Sequence, residues 1–177
     1  MSPTEFEHIY TKYQHRVYNT VLSYLQQAED AEEVTQDVFV EAFHSMESFK
    51  GESAIGTWIY RIAVNKSLDF LRHKNRQKRF AFFTALFHPQ TDELLHDPPD
   101  FYHPGIALEN KEKAATLFKT IRTLPETQQT AFILTQVEDL SYAEAAEVMN
   151  ITVAALESLL HRAKQNLRKR LSHLYKE

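Results

Sequence analysis

Two helix-start signals placed close together, at Ser141 and Thr152, constrain the fold of this chain more than any other feature. In LSYAEAAEVMN, Ser141 stands three residues before Glu144, the pattern of a reciprocal capping box. Ala145, Ala146, Val148 and Met149 follow as small and apolar packing positions. Asn150 falls where a tight interhelical turn needs a left-handed residue, a conformation that asparagine tolerates. Ile151 points to the core, and Thr152 caps a second helix expected from Val153 to about Leu171. Leu156, Leu160, Ala163 and Leu167 share one face of it. Ser158, His161, Arg162, Gln165, Arg168 and Lys169 lie elsewhere around it. A helix-turn-helix whose second helix is long and basic suits duplex DNA. The plain alternative is an ordinary helical hairpin, but the basic block and the small residues at the crossing point favour DNA.

The rest of the chain also reads as helix. Its 177 residues contain only three glycines, and alternating β-branched runs are scarce. The Ser2-Pro3-Thr4-Glu5 start predicts a first helix to about Leu25, with Phe6, Ile9, Tyr10, Tyr13, Val17, Val21 and Leu25 apolar. A second is expected from near Asp30 to about Phe43. A turn around Phe49, Lys50, Gly51, Glu52 and Ser53 precedes a third, basic helix. From Phe80 to Asn110 the character changes to phenylalanines, then prolines and acids, which predicts a partly extended acidic linker. Helices resume near Ile106 and run to Thr123, and another spans Glu126 to about Val137.

Charge is distributed in blocks. The net charge is −4, yet Arg61, Lys66, Arg72, Lys74, Arg76, Lys78 and Arg79 crowd one segment, with Asp69 the only acid after Glu52. A second block from Arg162 to Lys176 holds six Lys/Arg and no acid. Local fields can therefore differ from the whole-molecule value. Aromatic residues beside cations, as in SFKGESAIGTWIYRIAVNKSLDFLRHKNRQKR, suit a nucleic acid with unstacked bases. A core helix with a solvated basic tail is the competing interpretation. Trp58 fits a helix interior better than a stacking platform. Gly56 costs about 1 kcal/mol against alanine within a helix, so it marks a late helix start or a close backbone approach.

Several function classes drop out. No cysteine means no disulfide, thiol nucleophile or zinc-thiolate site. The start MSPTEFEHIY has neither the basic nor the apolar part of a signal peptide, and no apolar run reaches membrane-spanning length, so a cytoplasmic protein is expected. His88, His96 and His103 lie near Asp92, Asp97 and Asp100, but a proline-broken segment holds no rigid metal geometry. HExxH, P-loop and dinucleotide motifs are absent, so neither enzyme activity, cofactor, metal nor small-molecule substrate is expected.

Three stretches in order, DAEEVTQDVFVEAF (30–43), SFKGESAIGTWIYRIAVNKSLDFLR (48–72) and LPETQQTAFILTQVEDLSYAEAAEVMNITVAALESLLHRAKQNLRKRL (124–171), resemble bacterial sigma factors of the extracytoplasmic-function group. The resemblance implies an all-α protein of two small helical domains joined by a flexible linker. A sigma-2-like bundle would occupy 1–79, the linker 80–110, and a sigma-4-like helix-turn-helix domain 111–177. It implies a promoter-specificity subunit that binds core RNA polymerase and promoter DNA, with an anti-sigma factor as an optional further partner.

The resemblance also implies residue roles. Asp30, Glu33, Gln36 and Asp37 would contact the clamp helices of the largest polymerase subunit. Asp30, Glu33, Asp37 and Glu41 share one helical face. Their mutual repulsion, roughly 0.2–0.5 kcal/mol per pair, becomes complementarity against a basic partner. Val34, Val38 and Ala42 would face the core. Lys50, Gly51, Glu52 and Ser53, with the start of the next helix, would capture a flipped minus-ten base. Asn65 matches a base-contacting position, and Arg61, Lys66, Arg72 and Lys74 would hold phosphates. Glu157, Ser158, His161, Arg162 and Lys164 would read the minus-thirty-five duplex, with Arg162 the main anchor. Glu157 and Leu159 stand where family members commonly carry cations. Glu157 would instead accept from a cytosine amino group or orient an arginine.

Two other readings compete. A helix-turn-helix repressor or response regulator acting without core polymerase would need a sensing pocket in its amino-terminal half. A helical adaptor would not need cations blocked on both halves.

Overall fold

The computed structural model describes residues 3–51, 53–87 and 111–172, with side chains described from residue 5, to 77 in the third helix, and from 113 in the carboxy-terminal half. Glu52, most of the expected linker and its histidine–aspartate cluster lie outside the described residues.

Helix α1 (Pro3–Leu25), α2 (Ala28–Ser45) and α3 (Ile55–Phe87) pack on one another as the amino-terminal unit. Val17, Val21, Leu22 and Leu25 of α1 share one core with Ala31, Val34 and Val38 of α2 and with Ile59 and Ala63 of α3; these residues and Ala42 are buried. Each fully buried Val, Leu or Ile contributes about 1.5–3 kcal/mol. The α1–α2 connection is two residues long because Gln26 takes the left-handed conformation (φ 58°) and closes a backbone bond to Leu22 O at 2.8 Å. A 3₁₀ turn (Met46–Ser48) ends α2. Gly51 then turns with φ 71°, a value that suits only glycine well.

Gly56 marks both a late helix start and a close approach. An added Cβ would lie 3.1 Å from the Tyr13 ring of α1. Helix α3 runs on to Phe87, so the segment expected to be linker from Phe80 begins as helix. The preceding 25 residues already pay the nucleation cost, and neither Gly nor Pro interrupts before Pro89.

The carboxy-terminal unit comprises α4 (Lys111–Ile121), α5 (Glu126–Phe132), a π turn (Ile133–Val137), α6 (Tyr142–Met149) and α7 (Val153–Leu171). Helix α4 is described from Lys111, so the expected start near Ile106 lies outside the described residues. The helix expected to about Val137 ends as a π turn, closed by the Glu138 amide on Ile133 O at 3.0 Å. Ser141 and Glu144 form the expected capping box, Asn150 is left-handed (φ 54°, ψ 48°), and Thr152 caps α7 through the Ala155 amide. Leu156, Leu160, Ala163 and Leu167 are buried as expected. No strand occurs among the described residues.

The two units are not separate beads. Helix α6 packs on α3, the π turn packs on α1, and one apolar core runs through both units.

Candidate nucleic-acid and polymerase interfaces

Helix α2 presents two chemically different faces. Val34, Val38 and Ala42 are buried, while Glu33, Gln36 and Asp37 are exposed. Val40 and Phe43 are each 55% exposed and lie along the same outward side. Phe43 meets the Phe6 ring edge-on at 5.1 Å, and Tyr10, 43% exposed, meets Phe39 at 4.8 Å. The outward side of α2 is thus acidic with apolar anchors. Val40 and Phe43 escaped the sequence reading, although Val40 falls outside the Val34–Val38–Ala42 stripe. Asp30 departs from its expected companions. It is half-buried and accepts from Lys74 Nζ at 2.5 Å.

The cationic face of α3 is heavily partnered. Arg61 donates through Nη2 to Glu147 O at 2.7 Å and through Nε to Val148 O at 3.3 Å, the last carbonyls of α6. Arg72 donates to both carboxylate oxygens of Glu126, at 3.1 and 2.5 Å, and to Asp69 at 3.0 Å. The Arg72 fork holds the Glu126 carboxyl below its usual range. Lys66 pairs with Glu41 at 3.7 Å. Asn65 is exposed.

Trp58 packs against the core on one side and tilts over Phe49 on the other, with ring centroids 4.9 Å apart. It thus serves the core and still lines a cleft of about 690 Å³ together with Phe49, Lys50, Ser53 and Arg61. The opposite wall is Glu147, Asn150 and Thr152, the helix-turn-helix turn itself.

Helix α7 differs. Glu157, Ser158, His161 and Arg162 are all exposed, and Lys164 is half-buried beside an apolar groove with Leu117, Phe132 and Leu171. His161 and Gln165 share a 2.9 Å hydrogen bond. Among the described residues, neither Arg162 nor Glu157 carries an ion pair. Asn166 turns inward to Gln128 at 2.8 Å and ties α7 to α5.

One further charged group sits between the units. Glu138 follows the π turn and lies against Thr20 and Arg16 of α1. Burial raises its carboxyl to about 7, Thr20 and Arg16 pull it down, and Asp139 raises it further. No group of three or more His, Asp or Glu among the described residues is arranged to hold a metal ion. No helix among them is long and apolar enough to cross a membrane.

Comparisons with known proteins place these faces in context. The model for Sigma-70 region 2 matches residues 9–77, and that for Sigma-70 region 4 matches 115–167. The RNA polymerase sigma-H factor of Pseudomonas aeruginosa is 33% identical over 172 residues, spanning 97% of this chain and 89% of that protein. The ECF RNA polymerase sigma-E factor of Haemophilus influenzae is 32% identical over 179 residues, spanning 96% and 88%. Among solved structures, the sigma factor RpoE of Bartonella quintana, crystallised with the anti-sigma factor NepR, superposes with a TM-score of 0.66. That match has 19% identity and covers 95% of this chain and 97% of that one.

Proposed function

The chain belongs to the extracytoplasmic-function RNA polymerase sigma factors, promoter-specificity subunits of the polymerase, and from that membership we propose how its helices divide the work. Helix α2 docks on core polymerase through Glu33, Gln36 and Asp37, with Val40 and Phe43 as the apolar anchors. The observation that carries this is the outward side of α2, where two large apolar side chains stay half in water beside Glu33 and Asp37, which carry no ion pair among the described residues. Exposed apolar anchors ringed by charge are what an interface core with a polar rim looks like from one side. Asp30 contributes by holding Lys74 rather than by direct contact.

Residues Lys50, Gly51, Glu52 and Ser53, with Asn65, Arg61, Lys66, Arg72 and Lys74, receive the separated minus-ten strand. Trp58 and Phe49 form the aromatic wall behind them. Helix α7 enters the minus-thirty-five major groove with Ser158, His161, Arg162 and Lys164, and Glu157 accepts from a base. The chain performs no bond chemistry in this reading; it positions DNA for an enzyme that does. It works where polymerase works, in the cytoplasm. An anti-sigma factor is a further proposed partner, by analogy with the NepR-bound relative.

The test is reconstitution. Purified chain mixed with core RNA polymerase should co-elute as a stoichiometric complex and support run-off transcription from a promoter library. Duplex binding by the chain alone, with no polymerase complex and no transcript, would instead favour the repressor reading.

A further inference from the structure

We infer that the first turn of α7 reads a thymine: Val153 packs on the 5-methyl group of one thymine in the minus-thirty-five duplex. This deepens, and rests on, the assignment of α7 to that duplex proposed above.

The first support is what the turn carries. Val153, Ala154 and Ala155 are all exposed, and none has a polar side-chain atom. Thr152, just before them, commits its hydroxyl oxygen to the Ala155 amide at 3.2 Å. Ile151 and Leu159 on either side are partly buried against the core, whereas Val153 stays 42% exposed. Valine is also a poorer helix former than alanine. Neither the core nor helix propensity accounts for a valine at this place.

The second support is the charge along α7. No Lys or Arg of α7 precedes Arg162. Glu157, exposed one turn after Val153, repels phosphates, and Leu159 rests against the core. The amino-terminal end of a recognition helix is the part that meets base edges in the major groove. In α7 that end has no cation to hold the DNA backbone, so its discrimination comes from the bases themselves. The 5-methyl of thymine is the apolar group that the four bases present in that groove. Val153 is the largest side chain on the apolar turn, and its two alanine neighbours leave room for a close approach. Four-residue spacing sets Val153, Glu157 and His161 in one row, so a methyl contact leads directly into polar ones.

The test uses the holoenzyme assembled from the full chain and core polymerase. Selection from a randomised duplex library gives the minus-thirty-five element. Each thymine in it, on either strand, is then replaced singly by deoxyuridine, which removes only the methyl. One replacement should weaken parent binding about three- to fivefold, the weight of one buried methyl. Val153→Ala should weaken binding to the thymine duplex by the same factor and bind the thymine and deoxyuridine duplexes equally. Its denaturation midpoint should match the parent's, since the side chain is exposed. A Val153→Ala holoenzyme that still distinguishes the two duplexes by the parent's factor would overturn the inference. So would an element without thymine, or parent binding indifferent to every replacement, the result expected if Val153 docks on protein instead. Failure of the underlying assignment looks different. A holoenzyme that selects no upstream duplex element removes the role of α7 itself; a selected element with no methyl dependence removes only the thymine contact.

Discussion

Helices α3 and α7 are both basic and both assigned to DNA, yet the fold treats them oppositely. On α3, Arg61, Lys66, Arg72 and Lys74 each hold a carboxylate or a helix-end carbonyl. On α7, Glu157, Ser158, His161 and Arg162 stand in water. The difference teaches that a basic stretch has two separable properties. One is its charge, which the sequence displays; the other is whether that charge is available, which depends on what packs against it.

The largest effect that could break this comparison lies beneath α7. Leu156→Ala empties a fully buried position and should cost 2–5 kcal/mol, measured by chemical denaturation. Loss of the α7 surface would follow from loss of its support. If the cost is small, α7 is not held by the core as described.

Glu138 comes next. Its carboxyl is held near 7 against an ordinary 4.5, so the folded chain retains a proton that the unfolded chain has released. Stability is unaffected below about pH 4.5, falls as pH rises from there toward 7, and is flat above. At about 1.4 kcal/mol per pH unit, the full penalty is about 3 kcal/mol. Glu138→Gln should abolish that slope and leave the variant more stable than the parent at pH 8. Unfolding curves that remain parallel across this range would remove Glu138 from the interface.

Smaller still is the capping box. Ser141→Ala should cost about 1 kcal/mol, because the Glu144 amide loses its acceptor and the Glu144 carboxylate keeps only the backbone N–H of residue 141. The smallest stability effect sharpens the comparison most. Arg162→Ala should leave the denaturation midpoint unchanged, within about 0.5 kcal/mol, yet reduce the slope of log affinity against log salt in holoenzyme–promoter binding by roughly one. Arg72→Ala should do the reverse in the free chain, costing up to about 1 kcal/mol of stability. Equal stability effects at the two arginines would erase the distinction between the helices.

Much of the fold was legible because its determinants are local. The helix-turn-helix could be placed to the residue, since Ser141 with Glu144, Asn150 and Thr152 each act on backbone groups two to four positions away. The α2 stripe of Val34, Val38 and Ala42 follows from helical periodicity alone. The family resemblance, resting on three motifs in order, carried the function further than spacing could. Less legible were the extension of α3 to Phe87, the π turn before Glu138, and the exposed Val40 and Phe43. The extension continues an already nucleated helix, whereas the π turn and the exposure of Val40 and Phe43 depend on what packs around them.

Sequence alone settled the helical class, the caps, the blocked charges and the family, because those are written in neighbouring residues and in motif order. Only the tertiary structure decided which charges are free. The partners of Lys74, Arg72 and Arg61 lie 44, 54 and up to 87 residues away, and Gln26 reaches 92 residues to Phe118. No local rule reaches so far along the chain; such pairs form when apolar burial brings distant helices together and leaves their polar edges to find one another.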